Sequence, residues 1–241
     1  MKTLFHLLLA SMFLWACQND KDFGSSNDIS TSASLSTFTI VGLDKLCVLE
    51  NNQVKVYQAS ADSLRYLSSL SKRWDEAETL FPFQDKLFVG TTTGMFIYDL
   101  SNAFSPRYVG QAIHARACDP VVTDGQYAYV TLREGEGRCF NAENTLSVYD
   151  VNDMTSPQLI KTYQMRSPNG LGIHDSLLIV CDEGVKVYNR SIPNNLELLT
   201  HESSFGATDV IVQNDHVVTI ENEQLGVYQI DSVLTKISIV Q

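Results

Sequence analysis

Beyond residue 36 the chain runs in short apolar stretches separated by polar turns rich in Asp, Asn, Ser and Gly. Stretches this short, rich in Val, Ile, Leu, Tyr and Phe, predict strands rather than helices. Five times an aliphatic residue is followed by tyrosine: Val56-Tyr57, Ile97-Tyr98, Val148-Tyr149, Val187-Tyr188 and Val227-Tyr228. The steps between the tyrosines are 41, 51, 39 and 40 residues (98 − 57, 149 − 98, 188 − 149, 228 − 188). A polar turn recurs with the same rhythm, at Asp44-Lys45, Asp85-Lys86, Asp124-Gly125, Asp175-Ser176 and Asp215-His216. From turn Asp to repeat Tyr is 13 residues in units one, two, four and five (57 − 44, 98 − 85, 188 − 175, 228 − 215) and 25 in unit three (149 − 124).

A period near 40 residues in a strand-rich chain marks a radial or stacked β-repeat. Each unit reads as four strands. Strand a precedes the Asp turn (38–43, 79–83, 120–123, 170–173, 209–212), b follows it, c carries the tyrosine, and d comes about eight residues later. Strand b is apolar on successive residues, as a strand sandwiched between neighbouring blades should be. The fold class expected is all-β, a β-propeller of five blades of four antiparallel strands, with blades near 37–70, 77–113, 118–164, 168–202 and 207–241. It forms one domain, because each unit needs its neighbours to cover its faces. Closure is expected from packing of blade one on blade five. The runner-up register lets residues 38–43 complete another blade, and an open stack would leave two apolar end faces needing a partner.

The formal net charge is −11, and residues 1–16 remove only Lys2, leaving 16 − 28 = −12. That surface argues against nucleic acid as a partner and against docking on an anionic membrane. The N-terminus offers a different membrane contact. Lys2 is followed by an apolar run to Trp15 that is too short to span a bilayer, then by Ala16-Cys17. Residues 1–16 read as a signal peptide, and the segment resembles the bacterial lipoprotein box, which implies lipidation of Cys17. Leu14 and Ala16 match the box; Trp15 stands where a small residue is usual. The alternative is an ordinary signal peptide with a chance cysteine. Residues 17–36, polar and without periodicity, read as a flexible tether. The acidic residues after Cys17 resemble the surface-export signal of lipoproteins from Bacteroidota-like bacteria. The location expected is the cell envelope, as an outer-membrane lipoprotein displayed at the surface.

Two units carry a further signature: Tyr98-Asp99-Leu100-Ser101 with Ser105-Pro106, and Tyr149-Asp150-Val151-Asn152-Asp153 with Ser156-Pro157. It resembles the LVIVD-repeat family of propeller lipoproteins over residues 37–241. Gln58, Asn189 and Gln229 replace the Asp in the other units. The resemblance implies a fold, and it implies no shared activity.

Function on a repeat scaffold sits where one unit differs. The extra residues of unit three, placed at 133–144 between strands b and c, bring Arg133, Glu134, Glu136, Arg138, Asn141 and Asn144, with Arg116 near the same rim. These are the candidate binding residues for a carboxylate, a sulfated glycan or an acidic loop. Internal Arg–Glu pairing is the alternative. Antiparallel topology puts Cys118, at the start of strand a, on the same face as Cys139 in the loop. A disulfide is expected in an exported protein, closing about 21 residues and stabilising by roughly 3 kcal/mol; two free thiols are the alternative. Cys47 and Cys181 lie within b strands and read as small buried hydrophobes. Trp74 reads as packing on the rim, with a sugar-stacking platform as the alternative. His114, His174, His201 and His216 lack metal-ligand spacing, and no nucleophile with a placed base is present. Asp119 and Asp209, at starts of strand a, are candidates for a carboxylate pair at a central tunnel. No cofactor, catalytic residue or metal is assigned. The leading reading is a non-catalytic binding or scaffold module with a protein or glycan partner in the envelope and membrane contact through the lipid anchor only. A lyase or hydrolase with a tunnel-bound metal is the alternative.

Overall fold

The computed structural model describes residues 34–114, 120–134, 143–203, 206–221, 224–230 and 234–240. All secondary structure there is strand. Blade 1 is β1 (Phe38–Val41), β2 (Lys45–Glu50), β3 (Gln53–Ala59) and β4 (Leu64–Ser69). Blade 2 is β5 (Ala77–Phe83), β6 (Lys86–Thr91), β7 (Gly94–Asp99) and β8 (Arg107–Ile113). Blade 3 is β9 (Val121–Thr123), β10 (Tyr127–Leu132), β11 (Thr145–Asp150) and β12 (Gln158–Gln164). Blade 4 is β13 (Pro168–His174), β14 (Leu177–Asp182), β15 (Val185–Asn189) and β16 (Glu197–Glu202). Blade 5 is β17 (Ala207–Gln213), β18 (His216–Glu221), β19 (Gln224–Ile230) and β20 (Leu234–Val240). Each blade is an antiparallel meander in chain order, so the five sheets form the blades of a β-propeller, as the repeat predicts.

The aliphatic–tyrosine pair has a structural reason. In every blade the register between strands c and d slips at that pair, at Val56/Tyr57, Ile97/Tyr98, Val148/Tyr149, Val187/Tyr188 and Val227/Tyr228. One residue of strand d is bulged out each time: Leu67, Val109, Ile160, Leu199 or Ile237. A bulge increases the right-handed twist and bends an edge strand away from pairing with another chain. Strand d is the outer edge of each blade, so the device sits where an exposed edge needs it.

The same pair straddles its sheet, because neighbours along a strand point to opposite faces. Ile97 joins the core shared by blades 2, 3 and 4, while Tyr98 joins the core shared with blade 1. Val187 joins the core shared with blade 5, while Tyr188 packs on that of blade 3. The aliphatic residue therefore points to the following blade and the tyrosine to the preceding one. Interior blades are covered on both sides: every residue of β7, and all of β6 and β14 beyond the first, is buried. Turn chemistry adds to this interface. Gly125 takes φ 85°, and a Cβ there would lie 2.3 Å from the Phe83 ring of the preceding blade.

Closure differs from expectation. Among the described residues no apolar cluster joins blades 5 and 1. On blade 1 the face carrying Tyr57 is open, with Phe38 62% and Ile40 53% exposed; on blade 5 the face carrying Val227 is open, with Ile220 and Leu225 each 44% exposed. Strands β18 and β19 alternate buried and exposed positions, the pattern of a sheet covered on one side. Among the described residues, the seam between blades 5 and 1 is thus not sealed by an apolar core.

Truncation should report this asymmetry. Ile97→Ala, at a fully buried repeat position, is expected to cost about 3 kcal/mol. Ile220→Ala, on the open face, is expected to cost less than about 0.5 kcal/mol. Urea unfolding of the two variants checks the contrast.

Candidate functional site

Antiparallel connectivity sends a–b and c–d connections to one axial face and b–c and d–a connections to the other. In blades 1, 2, 4 and 5 the b–c connection spans two residues, at 51–52, 92–93, 183–184 and 222–223. In blade 3 it spans twelve, from Leu132 to Thr145. The insertion is therefore ten residues (12 − 2). The other two of the sequence offset come from the a–b turn, where Asp124 stands three places before Tyr127 but Asp85 stands one before Lys86.

Arg133 and Glu134 are exposed where this loop departs. Asn144 makes hydrogen bonds within the protein. Its Oδ1 accepts the Glu134 amide at 2.9 Å, and its backbone carbonyl accepts the Met165 amide at 2.9 Å, so it clasps the base of the loop. Arg116, Glu136, Arg138, Asn141, the Cys118–Cys139 pair, Asp119 and Cys17 lie outside the described residues.

Two buried carboxylates stand on the same axial face. Ser34 Oγ accepts the Leu171 amide of blade 4 at 2.8 Å and donates to Asp209 Oδ1 of blade 5 at 3.2 Å. Two residues on, the Ser36 carbonyl accepts the Leu80 amide of blade 2 at 2.7 Å. The chain entering blade 1 therefore crosses the inner strands of three other blades. Burial raises the Asp209 carboxyl, opposed by the amide of Val210 and the Ser34 hydroxyl. Asp182 ends the b strand of blade 4 and is fully buried. It accepts Lys186 Nζ at 2.6 Å and the amides of Ser167 at 2.7 Å and Arg166 at 3.1 Å. Burial pushes its carboxyl upward, but these donors outweigh that and hold it below the usual value.

The opposite face carries an arrangement the sequence did not reveal. Turn aspartates bond between blades: Lys45 of blade 1 to Asp85 of blade 2 at 2.8 Å, and Arg190 of blade 4 to Asp124 of blade 3. His174 of blade 4 lies 3.9 Å from Asp215 of blade 5. Arg190 also covers the Tyr129 ring at 5.7 Å. The regular recurrence of the Asp was the available signal, read only as turn chemistry. A shallow depression there is lined by Asn189, Ile192, Asn195, Leu196 and Glu197, away from Arg133.

Trp74 is buried, packs edge-on against Phe96 and Tyr98, and donates from Nε1 to Asn52 Oδ1 at 3.1 Å, so it presents no stacking platform. Cys47 and Cys181 are buried free thiols; burial pushes Cys47 up to about 12 and Cys181 higher still. His201 Nε2 lies 2.9 Å from the Glu183 carbonyl. Among the described residues no three His, Cys, Asp or Glu side chains converge as a metal site.

No family model matches the chain, and no curated protein matches its sequence. Solved structures do match in fold. The periplasmic gluconolactonase of Pseudomonas aeruginosa is 14% identical, with TM-score 0.61 over 82% of this chain and 67% of that one. A protein from Lactobacillus plantarum is 11% identical, with TM-score 0.59 over 90% and 72%. The computationally designed Ika8 protein is 14% identical, with TM-score 0.57 over 86% and 63%. At such identities the likeness establishes fold alone.

The Asp182 clamp has a pH signature. Its folded-state pKa lies below the unfolded value, so its contribution is complete above about pH 4 and is lost as pH falls through the folded value. Asp182→Asn is expected to cost about 2 kcal/mol at pH 7, the range for hydrogen bonds to a charged group. Urea unfolding below pH 3 is expected to show a smaller gap.

Proposed function

We propose that the chain is a lipid-anchored, non-catalytic β-propeller of the cell envelope that binds a protein or glycan partner through the b–c loop of blade 3. The observation that carries the reading is the twelve-residue connection set against two-residue connections in the other blades. A rigid scaffold with one extended loop is a common arrangement for recognition. Arg133 and Glu134, exposed at its base, supply polar groups at its root. On a chain of net charge −11, arginines at one rim favour an acidic ligand, a carboxylate or sulfated glycan.

Anchoring through Cys17 to the outer membrane, with surface display, rests on the N-terminal pattern. Assignment to the LVIVD-repeat lipoproteins rests on the Tyr-Asp and Ser-Pro signatures of blades 2 and 3. A Cys118–Cys139 disulfide would tie the loop to the start of its own blade.

The second reading is a hydrolase or lyase, favoured by the fold shared with a gluconolactonase. Asp209 counts against a tunnel-bound metal in that reading, since its Oδ1 is taken by the Ser34 hydroxyl and the Val210 amide. Stoichiometric calcium or zinc in the purified protein would move the assignment to the enzyme.

The binding reading is tested by in-cell crosslinking and pull-down of the tagged protein. Arg133→Ala with Arg138→Ala, at unchanged circular dichroism, is expected to reduce partner capture about tenfold or more, the loss of one charge-assisted contact. Undiminished capture sinks the loop as the recognition element.

A further inference from the structure

The open seam exposes two surfaces that are the complementary halves of one repeated interface. Within the chain, each blade presents its aliphatic face forward, and the next blade presents its tyrosine face backward. Val56 and Tyr98 share the core between blades 1 and 2, and Val187 and Tyr228 the core between blades 4 and 5. At the seam the forward face of blade 5 and the backward face of blade 1 have no such cover among the described residues.

Strand register defines both faces, because residues directly opposite in an antiparallel pair share a side. On blade 1, Phe38 pairs with Val48, Ile40 with Leu46, Leu46 with Tyr57, and Tyr57 with Tyr66. On blade 5, Ile211 pairs with Val218, Val218 with Val227, and Ile220 with Leu225. The centres of both faces are apolar, and polar residues share each face toward one end: Glu50, Gln53 and Lys55 on blade 1, and Gln213, His216 and Gln229 on blade 5. Phe38 and Tyr66, 62% and 55% exposed, alone leave on the order of 200 Å² of aromatic side chain in water. Contiguous apolar surface of this kind marks an interaction site.

We propose that the occupant is a second copy of this chain, with the forward face of blade 5 in one copy packed on the backward face of blade 1 in the next. The contact continues the interface that already joins the five blades in series. A second copy carries the matching half by construction. It is heterologous, so each copy keeps one free face, and association proceeds head to tail until a ring closes or a filament extends. The proposal is independent of the loop at Arg133.

The test is the oligomeric state of the full chain carrying Cys17→Ser, which removes any acyl anchor, by sedimentation velocity across a wide concentration range. Concentration-dependent oligomers are expected. Phe38→Asp blocks the blade 1 face, and Ile220→Asp blocks the blade 5 face. Each variant alone is expected to be monomeric at every concentration, and an equimolar mixture to form heterodimers and nothing larger. Ile40→Asp and Leu225→Asp repeat the test at second exposed positions should either first variant lose its native circular dichroism. A wild-type chain that stays monomeric throughout overturns the proposal, whether the seam stays open or closes on itself. Self-association of either blocked variant overturns it as well, by placing the contact elsewhere.

Discussion

A four-stranded sheet that is apolar on both faces needs a cover on each side, and the rest of this molecule follows from that requirement. Blades 2, 3 and 4 meet it with a neighbour on either side, and their central strands are buried along nearly their whole length. Stability then scales with the number of interfaces rather than with any single contact. Bonds at the rim, such as Lys45 to Asp85 and Arg190 to Asp124, also link neighbouring blades. Arg190 and Asp124 are both partly buried, where screening is weaker than at an open surface, whereas Asp85 is exposed.

The aliphatic–tyrosine pair serves two needs at once. Its alternation feeds one side chain to each flanking core. Its register slip lets strand d twist away as an edge. The hydroxyl must then find a partner, because a phenol in a core is costly unless bonded. Tyr98 donates to the Ser71 carbonyl at 2.6 Å and Tyr228 to Glu221 at 2.5 Å. The solutions differ between blades, although the positions repeat.

Strand number, blade number and repeat spacing were legible in the sequence because they depend on local period and turn residues. The bulge was visible only as a recurring dipeptide, since its meaning lies in a long-range register. The unsealed seam was not legible at all. Phe38, Ile40, Ile220 and Leu225 are written as interior residues, and pattern alone cannot tell a covered face from an uncovered one. The turn aspartates were found but assigned only to turns, because their partners Lys45, Arg190 and His174 lie on other blades. The hydrogen bond from the Glu134 amide to the Asn144 side chain was not legible either, since it joins the two ends of a long loop. The offset of unit three was read as one insertion, but two of its residues belong to a turn of different length.

The position of that insertion is physically favourable. A b–c connection joins strand ends rather than strand interiors, so its length can change without changing the strands' register. Growth from two to twelve residues costs roughly 1.5 kcal/mol in closure entropy. One hydrogen bond of the Glu134–Asn144 kind returns about 1 kcal/mol of that. The loop leaves through an axial face, whereas the seam surfaces are the broad sides of the end blades. A ligand at the loop and a sheet at the seam would therefore occupy different directions in space. The fold separates the two by construction: length varies in its connections, and blade-to-blade packing is carried by its sheet faces.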